Sequence, residues 1–227
     1  MVYEEMFSTY TNKNIKGRHI TIESIEPILN DLSDDFKVQI EGKSVLEKPI
    51  YSVEFGQGKT RIYMWSQMHG DESTCTKAIF DLFEVLKNDN EYSHFIQSNF
   101  TLLILPLVNP DGAKLHTREN ANGIDLNRDV NECSQPESKI LKQLFKRFKP
   151  DYCLNMHDQR TIYGIGETNK SAIVSFLAPA FNENRDINES RSKAMNVIGD
   201  INKVLQYYIP GHIGRYNDAY CDTCFGD

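Results

Sequence analysis

Unbroken apolar stretches alternate along this chain with segments in which apolar residues recur every three or four positions. Residues 61–67 and 100–108 are two unbroken stretches, and strands covered on both faces have this pattern. Apolar residues recur at helical spacing between them, at Ile79, Leu82, Phe83 and Leu86. This order of strand, helix and strand predicts a βαβ unit within a central α/β sheet.

A second set of elements repeats this order in the middle of the chain. Residues 134–137 have the pattern of a capping box with Pro136 in the first helical turn, and an apolar helix face follows as far as Phe148. Pro150 is expected to end that helix. Residues 151–156 then predict another buried strand.

The remaining patterned segments complete the predicted fold. Residues 194–205 carry the apolar spacing of a third amphipathic helix. Residues 36–40 and 50–55 are predicted to pair as an antiparallel edge of the sheet. We expect an α/β fold with a mixed, mostly parallel central sheet, helices on both faces, and a single domain over residues 1–227.

Composition narrows the class of protein. The chain is 40% hydrophobic and 25% charged, as in ordinary globular proteins, and no segment reaches the roughly 18 apolar residues that a membrane helix needs. Its net charge of −7 argues against a nucleic-acid partner. The five scattered cysteines suit reduced thiols, and the N-terminal residues lack the pattern of a secretory signal. These features predict a cytoplasmic location without membrane attachment.

Three potential metal ligands follow two of the predicted strands directly. His69 and Glu72 come after the strand at residues 61–67, and His157 comes after the strand at residues 151–156. Ligands of open α/β sheets bind beyond the carboxyl ends of the strands, so we expect these three side chains to meet. Two imidazoles and one carboxylate hold zinc with a fourth position open for water. The sequence therefore predicts one catalytic zinc site per chain.

Further motifs appear in the same order as in a known family. Residues 109–112 read Asn-Pro-Asp-Gly, and residues 125–128 read Asp-Leu-Asn-Arg. Together with the His-x-x-Glu motif and the histidine after a late strand, they resemble the zinc carboxypeptidase family, peptidase family M14. The resemblance runs from the strand before His69 through His157, and it extends more weakly over residues 42–50.

This resemblance implies roles for residues around the metal. It gives the same three residues as zinc ligands, with the ion activating a water molecule and polarising the scissile carbonyl. Asn127 and Arg128 match the pair that grips the terminal carboxylate of the substrate, a task that suits the Arg fork. Arg118 matches the arginine that steadies the oxyanion. Tyr216 and Tyr220 lie where the family has a substrate-contacting tyrosine.

Other residues near these motifs are expected to have structural roles. The segment at residues 109–112 is predicted to shape the loop below the metal, and Asp125 to cap or orient neighbouring backbone. Gly70 is expected to let the chain turn sharply between two ligands. Cys221 and Cys224 form a single Cys-x-x-Cys pair, for which a loop or core role is the stronger interpretation.

One catalytic residue of the family has no counterpart in this sequence. Zinc carboxypeptidases carry a general-base glutamate on a late strand, and no apolar strand with a glutamate follows His212. Glu167, Glu183 and Glu189 lie in polar surroundings that do not resemble it. We therefore expect residues 1–227 to be a piece of a longer enzyme that binds metal but hydrolyses peptides poorly by itself. The alternative is a complete protein that lacks part of the catalytic machinery.

Three functions are compatible with these residues. The leading hypothesis is a zinc metallocarboxypeptidase that removes a C-terminal residue from a peptide. The second is a zinc-dependent deacylase or amidohydrolase of similar fold that hydrolyses N-acyl amino acids; in both cases the substrate carries a free carboxylate. The third is a non-catalytic module that binds zinc or a peptide carboxylate.

Overall fold

A computed structural model describes residues 2–159 and 162–216 of the chain. The described residues fall into two compact units, one ending at Asp158 and the other beginning at Gln159. The single domain expected from the sequence stays a prediction.

The first unit is built around one five-stranded sheet. Its strands are β1 (Lys37–Lys43), β2 (Pro49–Phe55), β3 (Thr60–Ser66), β4 (Phe100–Leu105) and β5 (Tyr152–Met156). They lie in the order β1-β2-β4-β3-β5, with two antiparallel pairings toward β1 and two parallel pairings around β3. The predicted mixed α/β sheet is thus confirmed, with two parallel and two antiparallel pairings among the five strands of this sheet.

Six helices accompany this sheet in the described part of the first unit. They are α1 (Val2–Tyr10), α2 (Ile22–Asn30), α3 (Thr74–Leu86), α4 (Glu91–Asn99), α5 (Pro110–Leu115) and α6 (Pro136–Phe148). The predicted apolar faces of α3 and α6 are both present. The other four helices were not predicted.

Strand β3, which lies between β4 and β5, is buried on both of its faces. Met64 packs in the main apolar core together with residues of α2, α3 and α5. The alternate side chains Tyr63 and Trp65 are also buried, and the Tyr63 hydroxyl donates a hydrogen bond to the Leu141 carbonyl of α6 at 3.3 Å. Side chains alternate between the faces of a strand, so helices on both sides explain the unbroken apolar run at residues 61–67.

The start of α6 differs from the predicted capping box. Pro136 occupies the first turn as expected. The N-cap residue is Gln135, however, and its side chain makes no capping hydrogen bond. The Asp129 carboxylate instead accepts hydrogen bonds from the backbone N–H groups of Ser134 and Gln135, at 2.9 Å each. Glu137 is fully buried and accepts from the Val45 N–H group at 3.2 Å, so it does not reach back to the helix start.

The second unit contains two short strands and one long helix among its described residues. Strands β6 (Val174–Phe176) and β7 (Ile213–Arg215) pair in parallel, and α7 (Glu189–Tyr208) lies between them in the chain. The predicted amphipathic helix at residues 194–205 is therefore confirmed. Asn188 caps α7 by accepting a hydrogen bond from the Arg191 N–H group at 2.8 Å. No helix in residues 2–159 or 162–216 has the length and apolar character to cross a membrane.

The chain leaves β3 through a tight loop of buried residues. The left-handed residue there is Gln67, with a φ of 50°, whereas the sharp turn was expected at Gly70. The Gln67 amide donates to the carbonyls of Ile20 and Gly70 at 2.8 and 2.9 Å, which fixes the loop. Gly70 is required for a different reason: a Cβ atom there would lie 2.0 Å from the carbonyl carbon of Gly112.

Replacing Gly70 by Ala should therefore destabilise the protein. The two backbones would have to separate, and overpacking of this kind costs about 1 to 3 kcal/mol or more. The matched control is Gly199→Ala in α7, where no atom lies within 4 Å of the new Cβ and helix propensity favours Ala by about 1 kcal/mol. Urea unfolding midpoints measure both effects. Equal stability of the Gly70→Ala variant and the unchanged protein would contradict this account of the loop.

Candidate metal centre

Parallel pairing of β3 and β5 brings the three predicted metal ligands to one edge of the sheet. Ser66, the last residue of β3, lies opposite Met156, the last residue of β5. His157 follows Met156 immediately, and His69 follows Ser66 by three residues. The carboxyl ends of adjacent parallel strands meet at the same edge, so the register of this one strand pair sets the distance between the two histidines.

Both imidazoles face the two oxygens of one carboxylate. His157 Nδ1 lies 2.7 Å from Glu72 Oε2, and His69 Nδ1 lies 3.1 Å from Glu72 Oε1. The two imidazole ring centroids are 4.7 Å apart, and one ligand atom from each of the three residues lies within 4.8 Å of the others. His69 and Glu72 are buried, whereas the His157 side chain is 30% exposed. The cluster is therefore open to solvent on the His157 side.

The charges in this cluster favour a cation between the three side chains. Burial works against the charged form of Glu72, but His157 and His69 outweigh it and hold the pKa of the Glu72 carboxyl well below its usual range. Burial likewise opposes a charged His69, but the carboxylates of Asp125 and Glu72 prevail and raise the pKa of His69. The same negative charges that favour a proton on His69 would favour a bound metal ion, with which that proton competes.

The donor set of His69, Glu72 and His157 fits zinc. His69 Nδ1 is buried without a well-directed hydrogen bond, although Glu72 Oε1 lies 3.1 Å away. A buried nitrogen without a hydrogen bond is costly, and coordination to a metal ion would remove that cost. Imidazole nitrogens and carboxylate oxygens are donor types that bind zinc, so these three side chains would hold one ion.

Asp125 contacts the His69 ring on the side that faces away from Glu72. One oxygen of its carboxylate lies 3.1 Å from His69 Nε2, the nitrogen on the far side of the ring from Glu72, and accepts from the Asn127 N–H group at 2.8 Å. Burial opposes its charge, but contacts with His69 and Arg118 lower the pKa of Asp125. A carboxylate on the second nitrogen fixes the tautomer and orientation of a ligand histidine. The sequence predicted only the backbone contact, so the contact with His69 was missed.

Arg118 lies beside the same two carboxylates. Its Nε and Nη2 atoms are both 3.0 Å from Asp125 Oδ2, and its Nη1 atom is 3.7 Å from Glu72 Oε1. The side chain is 41% exposed, so part of the guanidinium faces solvent at the edge of the cluster. This position is compatible with the predicted oxyanion role, which stays a prediction.

Two residues of α3 hold the segment that contains His157. The Thr74 N–H and hydroxyl groups donate to the Asp158 carboxylate at 2.8 and 2.9 Å. The Cys75 thiol donates to the His157 carbonyl at 3.2 Å, and burial raises the pKa of that thiol to about 11, which keeps it protonated. A carboxylate at a helix N-terminus is a favourable arrangement. Sequence reasoning did not find these contacts, because Asp158 and Thr74 are far apart in the chain.

The predicted carboxylate-binding pair lies next to this cluster. Asn127 Oδ1 accepts a hydrogen bond from Asn155 Nδ2 at 3.1 Å. The Arg128 side chain is exposed, and its Nη1 atom lies 3.4 Å from the Asn127 carbonyl. Asn155, a residue of β5, was not among the predicted site residues. A carboxylate-binding role of Asn127 and Arg128 stays a prediction.

The segment at residues 109–112 has the structural role expected of it. Asn109 caps α5, with its Oδ1 atom accepting from the Gly112 N–H group at 2.8 Å. Its Nδ2 atom donates to the carbonyls of Met68 and Glu119 at 3.2 Å each. Asn109 thereby ties the loop that carries His69 to the segment that follows α5.

The remaining predicted site residues belong to the second unit or to the part of the chain that is not described. The Tyr216 hydroxyl donates to Gln159 Oε1 at 3.2 Å within the second unit, and a substrate contact of Tyr216 stays a prediction. Tyr220, Cys221 and Cys224 lie outside the described residues.

Comparison with known proteins identifies the family of this chain. The family model for zinc carboxypeptidases, Peptidase_M14, matches residues 22–217. The chain therefore belongs to the zinc carboxypeptidase family, as the sequence motifs predicted. Because this family depends on zinc, the cluster of His69, Glu72 and His157 is the candidate site for the ion.

Individual relatives share part of the chain. Carboxypeptidase 2 of Trichophyton tonsurans is 28% identical over 116 residues, which cover 51% of this chain and 20% of the fungal protein. Murein peptide amidase A of Escherichia coli strain K12 is 26% identical over 142 residues, covering 50% of this chain and 54% of the amidase. The chain thus spans about a fifth of the length of the fungal relative and about half of the amidase.

A solved structure shares the fold. The metallo-carboxypeptidase from Burkholderia cenocepacia superposes with a TM-score of 0.68 and is 16% identical, covering 88% of this chain and 53% of the other. At this level of identity the likeness shows a common fold and no more.

Removing the carboxylate behind His69 should weaken metal binding. The Asp125→Asn variant keeps the shape of the side chain but loses the charge beside His69 Nε2 and Arg118. We expect zinc affinity to fall about 10- to 100-fold, the usual effect of such an outer partner. Competition with a chelating dye measures it, and Asp34→Asn, which changes an exposed carboxylate before β1, is the charge-matched control. An unchanged zinc affinity would refute the supporting role of Asp125.

Proposed function

We propose that this protein is a zinc metallocarboxypeptidase that hydrolyses the C-terminal peptide bond of peptides. The observation that carries the proposal is the buried Glu72 carboxylate, whose two oxygens face His69 and His157 at the open edge of the sheet. Membership of the zinc carboxypeptidase family gives this cluster its chemical interpretation. We propose one zinc ion per chain, held by these three side chains.

The residues around the ion have separate roles in the proposed reaction. A zinc ion held there would acidify a water molecule and polarise the scissile carbonyl. Asp125 keeps His69 in the orientation that offers Nδ1 to the metal. Arg118 is partly exposed beside Glu72, where its guanidinium stabilises negative charge that develops on the carbonyl oxygen of the substrate.

Recognition of the substrate's terminal carboxylate is assigned to Asn127 and Arg128. Arg128 is exposed, and its planar fork bonds both oxygens of a carboxylate at once. The Asn127 N–H group donates to the Asp125 carboxylate that also contacts His69. This shared contact supports a carboxylate-binding pair at a fixed distance from the metal.

A second candidate is hydrolysis of a different amide bond. One relative is named as a murein peptide amidase and matches half of this chain, and an N-acyl amino acid deacylase would need the same metal cluster and carboxylate-binding pair. A non-catalytic module that binds zinc or a carboxylate is the third candidate. A cytoplasmic location and the absence of a nucleic-acid partner stay predictions.

The metal content of the purified protein tests the proposed cofactor. We expect one zinc per chain by atomic emission analysis, and we expect His157→Ala to lose most of it because two remaining ligands hold zinc poorly. The control is His94→Ala, which removes an exposed imidazole paired with Asp89 and should keep the metal. Protein without zinc, or full retention by His157→Ala, would contradict the proposed site.

The choice of substrate tests the proposed reaction. We expect the full-length protein to hydrolyse a peptide with a free C-terminal carboxylate at least tenfold faster than the same peptide with a C-terminal amide. Arg128→Ala should raise KM at least tenfold and Arg128→Lys should not restore it, because lysine lacks the bidentate fork. Arg18→Ala, at another exposed arginine, should behave like the unchanged protein.

The other outcomes of this assay separate the candidates. Equal hydrolysis of the free and the amidated peptide would contradict a carboxypeptidase. Hydrolysis of N-acyl amino acids alone would favour the deacylase. Zinc binding without hydrolysis of any of these substrates would favour the non-catalytic module.

A further inference from the structure

We propose that Asn155 sets the orientation of the Asn127 amide group and thereby makes the site selective for a carboxylate. The proposal rests on the proposed function, because it concerns the residue pair that receives the terminal carboxylate of the substrate. Asn155 Nδ2 lies 3.1 Å from Asn127 Oδ1. Asn155 acts through Asn127, so it is a positioning residue and not a catalytic one.

The two ends of a primary amide group differ in their hydrogen bonding. The oxygen of an Asn side chain accepts hydrogen bonds and its nitrogen donates two, whereas an ionised carboxylate only accepts. Asn127 therefore binds a carboxylate only if its NH2 group, and not its oxygen, faces the ligand. An amide that is free to rotate would present either end, and the wrong end would place an oxygen against the carboxylate.

The contacts of Asn127 select one of these two orientations. Its oxygen is engaged by the Asn155 NH2 group, and among the hydrogen bonds of the described residues none involves Asn127 Nδ2. The Asn127 backbone N–H group is fixed separately by Asp125 at 2.8 Å. The residue is thus held at its backbone and at its oxygen, which leaves the NH2 group as the end available to a ligand.

Strand β5 leads to the metal ligand and also carries the residue that contacts Asn127. Asn155 pairs with Trp65 of β3, and His157 follows two positions later, just past the end of the strand. Residues two apart in an extended chain lie on the same side. The strand that delivers the metal ligand His157 therefore also delivers the side chain that orients Asn127.

Asn155 is exposed on the last strand of the five-stranded order, so its substitution is expected to disturb the fold little. Aspartate at this position has oxygens only, and it would attract the NH2 group of Asn127 and turn the Asn127 oxygen toward the ligand. Alanine removes the hydrogen-bond partner of the Asn127 oxygen, but it does not stabilise the orientation in which that oxygen faces the ligand. The two substitutions should therefore differ in strength.

The experiment is a double-mutant cycle with benzylsuccinate, a dicarboxylate mimic of a C-terminal residue, bound to the zinc-loaded full-length protein. Calorimetry should show affinity lowered about three- to tenfold in Asn155→Ala and about 10- to 100-fold in Asn155→Asp, as expected for one lost and one inverted hydrogen bond to a charged group. In the Asn127→Ala background, Asn155→Asp should change affinity by less than about threefold, which separates the orientation effect from the added charge.

Each other result has a distinct meaning. Unchanged affinity in both Asn155 variants, or an equal effect of Asn155→Asp with and without Asn127, would overturn the proposal while leaving the carboxypeptidase function intact. Failure of the unchanged protein to bind benzylsuccinate, with zinc present in stoichiometric amount, would contradict the proposed function and this inference together.

Discussion

A buried carboxylate whose charge must be balanced is the constraint around which this site is organised. Glu72 lies at the carboxyl end of the sheet with both oxygens turned toward imidazoles, and an unpaired buried charge would cost several kcal/mol. Each histidine also has a second contact. Asp125 contacts the far ring nitrogen of His69, and the Cys75 thiol donates a hydrogen bond to the backbone carbonyl of His157. The ligand positions are therefore fixed by contacts that do not involve the metal.

The loops that carry these ligands owe their rigidity to backbone packing. Gly70 lies against the backbone of Gly112 too closely for any side chain, and the side-chain amides of Gln67 and Asn109 donate hydrogen bonds to the carbonyls of Ile20 and Met68 in other segments. Binding residues are often found on loops, but a productive geometry needs those loops to be held firmly by the scaffold. Here the site combines the two requirements, because His69 lies three residues after the buried strand β3 and His157 directly follows β5. The strand predicted at residues 151–156 is present as β5, but it is the last strand of the sheet order and is exposed rather than buried as predicted.

Much of this arrangement could be predicted from the sequence, and the rest could not for identifiable reasons. The strand at residues 61–67 was visible because both of its faces are buried, which leaves an unbroken apolar run. Helix α5 was hidden because its sequence, beginning at Pro110, is also a good turn sequence. The predicted capping box at residues 134–137 was wrong because the Glu137 side chain is buried and accepts hydrogen bonds from the Val45 N–H group and the Asn120 amide instead.

The supporting residues of the site were the hardest to predict. Asp125, Asp158 and Asn155 act through hydrogen bonds to residues 56, 84 and 28 positions away. Contacts of that kind depend on which strands and loops become neighbours, and they leave no periodic pattern in the sequence. The metal ligands were easier, because their spacing relative to strand ends is itself a sequence feature.

A short segment links metal binding to the proposed recognition of a terminal carboxylate. Asp125 contacts the ligand His69 through one carboxylate oxygen, and that same oxygen accepts from the Asn127 N–H group. The short segment from Asp125 to Asn127 therefore connects the metal ligand His69 to the carboxylate-binding pair. In the proposed reaction this fixed distance determines which amide bond lies at the metal when a carboxylate is bound. A bond deeper in the peptide would leave the carboxylate out of reach of Arg128, so the enzyme would lose that binding energy in the transition state and cleave such bonds slowly.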